Sequence, residues 1–296
     1  MRIVITGGKG MLGRSFQKEL LEHEIICADL PECDITDEKV LDEFIRDSQP
    51  DAVIHCAAMT AVDLCESERE KAFLINETGS ANTAKVCDKY QVRLIAISTD
   101  YVFDGNSETP YSEYDRASGG RTVYGQSKFA GEEAVRRFCA DHLICRISWL
   151  YGDGGPSFVH TMLKLADGSR PELKVVADQR GNPTSTLAVV RKVRELLKRR
   201  ELRGTFHLTC EGEASWAEFA AEIFRLAGIK QRITPCTTAE FPRPAPRPAN
   251  SRLVKRRLEE CGLTPMPDWH DALAEFMQTE KQKTLPPGEN GAQVAP

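Results

Sequence analysis

Gly7-Gly8-Lys9-Gly10-Met11-Leu12-Gly13 is a glycine-rich segment close to the start of the chain. It follows the apolar run Ile3-Val4-Ile5, which predicts a first β-strand, and it precedes a helical pattern of apolar residues. Glycines at this spacing permit a tight turn and let a pyrophosphate approach the N-terminus of the helix, where free N–H groups and the helix dipole favour an anion. The segment therefore predicts a dinucleotide-binding turn between a strand and a helix.

Short continuous apolar runs recur along the first half of the chain, and helical patterns separate them. Such runs are typical of strands buried on both faces of a parallel sheet. They cover residues 3–5, 25–28, 52–54, 94–97 and 143–147. We therefore expect an α/β fold built on a Rossmann-type doubly wound parallel sheet.

After about residue 150 the pattern changes, because Pro and Gly become frequent and the periodic segments are more scattered. We assign residues 1–150, together with a returning segment at about 186–204, to a dinucleotide-binding Rossmann domain. Residues 151–185 and 205–279 are assigned to a smaller α/β substrate-binding lobe. Residues 280–296 are polar and contain Pro286-Pro287-Gly288, so a disordered tail is expected there.

The composition is that of a globular protein, with 296 residues of which 41% are hydrophobic and 28% are charged. A formal net charge of −5 argues against general binding to nucleic acid. We expect no membrane association, because the apolar stretches are about half the ~20 residues that a bilayer-spanning helix needs and the N-terminus lacks the apolar core of a signal peptide. The ten cysteines are scattered without a CxxC pair, which predicts free thiols in a reducing cytoplasm and no metal site.

An acidic residue ends the second predicted strand. Asp29 would accept hydrogen bonds from the adenosine ribose, which ordinarily favours NADH over NADPH. Lys9 and Arg14 lie close enough in sequence to offset the repulsion between Asp29 and a 2′-phosphate. The sequence therefore predicts NADPH or NADH as the cofactor and leaves the choice between them open.

Tyr124-Gly125-Gln126-Ser127-Lys128 places a phenol and an ammonium group at positions i and i+4, on one face of a helix. A free tyrosine has a pKa of about 10, and a nearby cation lowers that pKa by stabilising the phenolate. A tyrosine tuned in this way can exchange a proton with a carbonyl or an alcohol. Ser98-Thr99-Asp100 ends the fourth predicted strand, so its polar side chains are expected at the same edge of the sheet as the glycine-rich turn.

Six segments taken together resemble the dTDP-4-dehydrorhamnose reductase family of the extended short-chain dehydrogenase/reductase superfamily. They cover residues 56–63, 98–105, 123–132, 146–152, 178–184 and 247–253, and the similarity extends over roughly residues 1–278. The resemblance implies reduction of the C4 keto group of dTDP-4-dehydro-β-L-rhamnose to dTDP-L-rhamnose by NADPH or NADH. It implies a nucleotide-sugar substrate and is compatible with a homodimer. Mg²⁺ assists dimerisation in some members, but its acidic cluster cannot be matched in this sequence.

Carried over position by position, the resemblance implies a role for each matching residue. Tyr124 would donate the proton to the new alkoxide, Lys128 would hold the nicotinamide ribose and tune Tyr124, and Thr99 would hydrogen-bond the same oxygen. The implied cofactor contacts are Gly7, Gly10, Met11, Leu12, Gly13, Asp29, Asp34, Ile35, Ala58, Met59, Thr60, Tyr124 and Lys128. The implied substrate contacts are Thr60, Val62, Thr99, Asp100 and Trp149.

Arginines near residue 250 are candidates for the diphosphate of the substrate, because planar guanidinium groups suit phosphate oxygens. They are Arg243, Arg247 and Arg252, of which Arg247 and Arg252 lie in a segment that resembles the family.

Two alternatives stay open at this point. The chain could reduce another nucleotide 4-keto-6-deoxy sugar, since the same groups would serve. It also resembles the β regulatory subunit of methionine adenosyltransferase, which implies a non-catalytic NADP-binding protein. A dTDP-glucose 4,6-dehydratase is disfavoured, because those enzymes generally need an acid directly after the Thr-Asp pair and this chain has Tyr101 there.

Overall fold

The computed structural model describes residues 1–284, and its elements are numbered here in chain order. The strands are β1 Arg2–Thr6, β2 Glu24–Ala28, β3 Ala52–His55, β4 Arg93–Thr99, β5 His142–Ile147, β6 Leu150–Tyr151, β7 Glu172–Val176, β8 Arg180–Gly181, β9 Thr184–Ser185, β10 Gly204–His207, β11 Ala214–Ser215 and β12 Arg232–Cys236. The helices are α1 Met11–Glu19, α2 Glu38–Ser48, α3 Val62–Ser67, α4 Arg69–Phe73, α5 Gly79–Lys89, α6 Val123–Phe138, α7 Phe158–Leu165, α8 Thr186–Leu197, α9 Trp216–Ala227, α10 Arg256–Glu260 and α11 Trp269–Thr284.

Six parallel strands form the central sheet, in the order β10-β5-β4-β3-β1-β2. Each of the five apolar runs in the first half of the sequence lies within one of these strands. Alternate residues of a strand point to opposite faces, so Ile3 and Ile5 pack in one hydrophobic cluster and Val4 in another. Helices α1 and α8 contribute to the first cluster, and α2, α5 and α6 contribute to the second. The predicted Rossmann-type α/β fold is therefore confirmed.

The elements that follow β5 continue the core on the α1–α8 face. The parallel pair β7–β12 contributes Leu173 and Val175 to this cluster, while α7, α9 and α11 contribute Val159, Phe219 and Leu273. Two further short pairs, β6–β9 and β8–β11, connect this region to the end of β5. The chain after residue 150 thus packs on the sheet through a continuous apolar contact.

The division into a Rossmann domain and a substrate-binding lobe stays a prediction, although its details can be compared with the elements. The boundary predicted after residue 204 falls inside β10, which pairs with β5 in the central sheet. The predicted tail begins too early, because α11 continues through residue 280 to Thr284. The rest of the predicted tail, residues 285–296, lies outside the described residues. A search of the described helices finds none with the length and apolar character of a membrane span.

A buried arginine fixes the turn that joins α8 to β10. Arg93, the first residue of β4, is fully buried. Its guanidinium donates to the carbonyl oxygens of Arg199, Arg200 and Leu202 at 3.3, 3.1 and 2.9 Å. It also lies 3.4 Å from a carboxylate oxygen of Asp141. The contact ties the return of the chain into the sheet to the start of β4.

We expect Arg93→Met to lower the free energy of unfolding by about 3 kcal/mol, because it removes the hydrogen bonds that a fully buried guanidinium donates to three carbonyl oxygens. Arg203→Met is the matched control, since Arg203 pairs with the same Asp141 at 2.9 Å but its side chain is 42% exposed. An exposed pair contributes less than about 1 kcal/mol. Urea denaturation of both variants measures the difference, and equal losses would contradict the structural role of Arg93.

Candidate active site

The glycine-rich turn leads from β1 directly into α1, and its glycines are required by close packing. Gly7 has φ of +67°, and a Cβ atom there would lie 2.6 Å from the backbone nitrogen of Ala57. A Cβ atom on Gly13 would lie 2.4 Å from the carbonyl oxygen of Gly7. Gly10 is the N-cap of α1 and provides no side-chain cap. The start of this helix therefore has the form of a phosphate-binding N-terminus.

A cavity of about 300 Å³ lies beside this turn. Six of the predicted cofactor residues line it, namely Gly7, Gly10, Asp29, Asp34, Ile35 and Ala58. The predicted residues Met11, Leu12 and Gly13 form the first turn of α1, where the side chain of Leu12 is buried in the core. An apolar cavity with an acid at its rim and a helix N-terminus at one side fits a dinucleotide.

The acid and the two basic residues noted in the sequence take different positions. Asp29 follows β2, and its carboxylate accepts hydrogen bonds from the backbone N–H groups of Lys9 and Leu30, both at 2.8 Å. The ammonium of Lys9 donates to the carbonyl oxygen of Leu30 and lies 3.4 Å from Glu32. Arg14 instead lies against Gly154 and lines a separate cavity. Only Lys9, of these two cations, is beside Asp29.

Asn76, which sequence reasoning missed, holds the segment Ala58-Met59-Thr60 against α6. Its amide side chain exchanges two hydrogen bonds with the backbone of Met59, at 2.8 and 3.1 Å. The same side chain donates to the hydroxyl of Ser127, which lies between Tyr124 and Lys128, at 2.9 Å. Asn76 lies in a π-helical turn, Leu74–Thr78, and such turns are frequent at functional sites. A single buried Asn has no local sequence signal that distinguishes it from a surface residue.

Tyr124 and Thr99 meet where α6 begins and β4 ends. The N-cap Thr122 accepts a hydrogen bond from the backbone N–H of Gly125 at 2.9 Å, so α6 starts one residue before Tyr124. Burial raises the pKa of the Tyr124 phenol well above its usual value, and a hydrogen bond with Thr99 acts in the opposite direction. The phenol is therefore protonated at neutral pH and can serve as an acid.

Lys128 is buried one turn further along α6. Its ammonium donates to the carbonyl oxygen of Ile97 on β4 at 2.8 Å. Burial lowers the pKa of Lys128 to about 8, while the negative charge of Glu132 acts in the opposite direction. Lys128 is not among the groups that shift the pKa of Tyr124, so the expected tuning of Tyr124 by Lys128 stays a prediction.

The hydroxyl of Thr99 has one hydrogen, and the structure directs it to Asp100. Oγ1 of Thr99 donates to Oδ1 of Asp100 at 2.9 Å and accepts from the backbone N–H of Tyr101 at 3.2 Å. Burial raises the pKa of Asp100 to about 6, and its Oδ2 has no hydrogen-bond partner within the described residues. The predicted donation from Thr99 to a substrate carbonyl therefore requires the Thr99 hydroxyl to break its hydrogen bond to Asp100. Protonation of Asp100 permits this, because a neutral carboxyl group holds the donor less strongly.

Trp149 has a strained backbone and a stacked ring. Its φ of +45° is rare for a bulky residue and costs on the order of 1–3 kcal/mol. Its indole ring stacks on that of Trp216 with centroids 3.5 Å apart, and its Nε1 donates to the hydroxyl of Ser251 at 3.1 Å. A Cβ atom on Gly181 would lie 2.4 Å from the ring. The half-buried indole is thus held in one orientation, as a binding surface requires.

The arginines near residue 250 divide into two sets. All three guanidinium nitrogens of Arg252 already donate, to Asn250, Glu213 and the carbonyl oxygen of Glu108, at 2.8, 2.9 and 2.7 Å. These hydrogen bonds disfavour a contact between Arg252 and the phosphates of the substrate. That contact stays a prediction. Arg247 and Arg243 lie 3.0 and 3.9 Å from the carboxylate of Asp63, next to the predicted substrate contact Val62.

The family model described as RmlD substrate binding domain matches residues 1–282. The dTDP-4-dehydrorhamnose reductase of Sinorhizobium fredii (strain NBRC 101917 / NGR234) is 40% identical over 283 residues, which are 92% of this chain and 95% of that protein. A probable dTDP-4,6-dihydroxy-2-methyloxan-3-one 4-ketoreductase of Streptomyces antibioticus is 38% identical over 296 residues, which are 99% of this chain and 100% of that protein.

A crystal structure of dTDP-4-dehydrorhamnose reductase from Bacillus anthracis str. Ames in complex with NADP matches the fold with a TM-score of 0.91. It is 38% identical, and the match covers 94% of this chain and 99% of that one. One assignment follows from the glycine turn, from Tyr124 and the buried Lys128 on α6, and from these matches. The chain belongs to the RmlD substrate-binding-domain family, that of the dTDP-4-dehydrorhamnose reductases.

Proposed function

We propose that the protein is a NADPH- or NADH-dependent oxidoreductase that reduces the C4 keto group of dTDP-4-dehydrorhamnose to give dTDP-L-rhamnose. The observation that carries the proposal is the meeting of the Tyr124 phenol with Thr99, one helical turn from the buried Lys128. A protonated phenol and a cation beside a dinucleotide-shaped cavity suit the reduction of a carbonyl. The reductases that this chain resembles support the choice of sugar.

Each residue contributes a separate function in this proposal. The bound cofactor supplies the hydride. Tyr124 donates its phenolic proton to the carbonyl oxygen as negative charge develops there. Thr99 hydrogen-bonds the same oxygen, and Lys128 binds the nicotinamide ribose and stabilises the phenolate that Tyr124 becomes. Fixed groups of this kind lower the barrier because they are oriented before the reaction begins.

The substrate is held by groups around this centre. The unpartnered Oδ2 of Asp100 accepts a hydrogen bond from a sugar hydroxyl, which satisfies a buried polar atom. The indole of Trp149 packs on the apolar face of the sugar. Arg247 and Arg243 bind the diphosphate, because they lie near the predicted substrate contact Val62, whereas each guanidinium nitrogen of Arg252 is already hydrogen-bonded.

A second candidate is the same reaction on another dTDP-linked keto sugar. The Streptomyces antibioticus relative supports it, because its described substrate is different and its similarity extends over the whole chain. A non-catalytic NADP-binding subunit gains no support from the relatives reported above. Homodimer formation and a cytoplasmic location stay predictions.

Wild-type protein should oxidise NADPH only when a dehydratase and an epimerase generate dTDP-4-dehydrorhamnose in the same reaction. Tyr124→Phe should bind NADPH normally and lose turnover by about 10²–10⁴-fold, because it lacks the acidic proton. Tyr90→Phe is the control, since that hydroxyl contacts Asp42 on α2 at 3.3 Å, away from the site. Loss of nicotinamide absorbance measures the rates. Normal turnover by Tyr124→Phe would refute the proton-donor assignment.

The pH dependence should follow Lys128. Since burial lowers its pKa to about 8, the cation is lost above that pH, and kcat/KM should fall about tenfold per pH unit there. Lys128→Arg retains its charge across this range, so its smaller kcat/KM should stay level near pH 8. An identical fall in wild type and Lys128→Arg would assign the titration to another group.

Cofactor choice should depend on Lys9 and not on Arg14. Lys9→Met should weaken NADPH binding roughly tenfold, because a charged hydrogen bond to the 2′-phosphate is lost, and should leave NADH binding almost unchanged. Arg14→Met should affect neither cofactor, since Arg14 lines the other cavity. Fluorescence titration of wild type and both variants with each nucleotide measures the six dissociation constants. Equal weakening of both nucleotides by Lys9→Met would contradict this role.

A further inference from the structure

A buried polar cluster lies next to the proposed site and has no assigned function. The Glu132 cluster, as we call it, consists of Ser98, Glu132 and Arg146, all of which are buried. One carboxylate oxygen of Glu132 accepts from the hydroxyl of Ser98 at 2.6 Å and from Nε of Arg146 at 2.9 Å. The other accepts from Nη2 of Arg146 at 2.7 Å. The cluster is thus a bidentate ion pair with one hydroxyl bound to it.

Each member of the cluster lies close in sequence to a residue of the proposed site. Ser98 precedes Thr99 on β4, Glu132 lies one helical turn after Lys128 on α6, and Arg146 lies on β5 three residues before Trp149. The cluster therefore links β4, which carries Thr99, and α6, which carries Lys128, to β5, which ends two residues before Trp149.

Three consecutive residues of β4 contact three polar side chains of α6. The carbonyl of Ile97 accepts from Lys128, the hydroxyl of Ser98 donates to Glu132, and Thr99 lies close enough to Tyr124 to influence its pKa. The bond between Ser98 and Glu132 is the central one of the three.

The cost of burial argues against a purely stabilising role. Ion pairs in the interior lose their hydration, and well-packed apolar residues of similar size often give equal or greater stability. Nη1 of Arg146 even lacks a hydrogen-bond partner within the described residues, and its guanidinium lies 5.0 Å from the ring of Phe103. What such a cluster provides beyond apolar packing is directional contact, which specifies one arrangement of α6 against β4 and β5.

We propose that Glu132 is a positioning residue for the reduction, which holds α6 against β4 and β5 so that the Tyr124 hydroxyl meets Thr99. The inference rests on the proposed function. Glu132 also acts on the charge of Lys128, whose surroundings include His55 and Cys56 at the end of β3. His55 is neutral, because burial lowers its pKa to about 3, and burial keeps Cys56 a thiol by raising its pKa. Glu132 is thus the anion that favours charged Lys128.

Ser98→Ala removes the link to β4 and leaves the ion pair intact. We expect kcat to fall roughly tenfold while the NADPH dissociation constant stays within about twofold, because a small misalignment of reacting groups slows the chemical step. Arg136→Met is the matched control, since Arg136 contacts the same carboxylate at 2.7 Å from a partly exposed position and should retain wild-type kcat. Wild-type kcat in Ser98→Ala, or an equal loss in Arg136→Met, would overturn the proposal.

Glu132→Gln supplies a readout that a merely structural role would not change. Removal of the anion lowers the pKa of Lys128, so the alkaline fall in kcat/KM should move to lower pH, while Ser98→Ala should not move it. The pH dependence of NADPH binding should move in the same direction. An unmoved pH profile in folded Glu132→Gln would overturn the proposal, and if this variant does not fold, the kcat of Ser98→Ala decides.

The two proposals fail in distinguishable ways. Wild-type protein that does not reduce the sugar would contradict the proposed function alone. In that case the pH dependence of NADPH binding in wild type and Glu132→Gln still tests the cluster, because it reports the charge of Lys128 without turnover. If NADPH binding had the same pH dependence in wild type and Glu132→Gln, the proposed role of Glu132 would be overturned.

Discussion

The shared direction of the sheet strands is the constraint on which the proposed site depends. Because β1, β2, β3 and β4 are parallel, their carboxyl ends lie along one edge, and the strand order reverses between β1 and β3. The glycine turn, Asp29, the Ala58–Thr60 segment and Thr99 each lie at one of these ends. Gly7 approaches Ala57 at the reversal point, so the closest backbone contact and the dinucleotide cavity occupy the same place.

Burial then determines the chemistry that these positions can perform. It keeps the phenol of Tyr124 protonated, brings the pKa of Lys128 down to about 8 and raises that of Asp100 to about 6. Lys128 and Asp100, whose charges are fixed in water at neutral pH, therefore become able to change charge near it, while Tyr124 keeps the proton that it donates. The rigid contacts between α6 and β4 matter for the same reason, since electrostatic effects in a dry site depend strongly on distance.

Local patterns predicted much of this arrangement. The glycine spacing, the apolar runs and the Tyr–Lys spacing each depend on neighbouring residues, and the resemblance added the roles of Thr99 and Trp149. Contacts between distant side chains were not predictable. Nη1 of Arg252 donates to Glu213, which lies 39 residues away, and the amide of Asn76 donates to the hydroxyl of Ser127, which lies 51 residues away. Polarity alone also did not distinguish the end of α11 from a disordered tail.

The proposed transfer of a hydride from the nicotinamide to C4 of the sugar can be followed with NADPH that carries deuterium at C4 of the nicotinamide. The protein would be incubated with dTDP-4-dehydrorhamnose, and the product sugar would be examined by mass spectrometry and NMR. We expect wild-type protein to produce dTDP-L-rhamnose that carries deuterium at C4 of the sugar, and Tyr124→Phe to produce almost none of this product. Absence of a reduced sugar from wild-type protein that binds NADPH, or deuterium at any other carbon, would contradict this expectation.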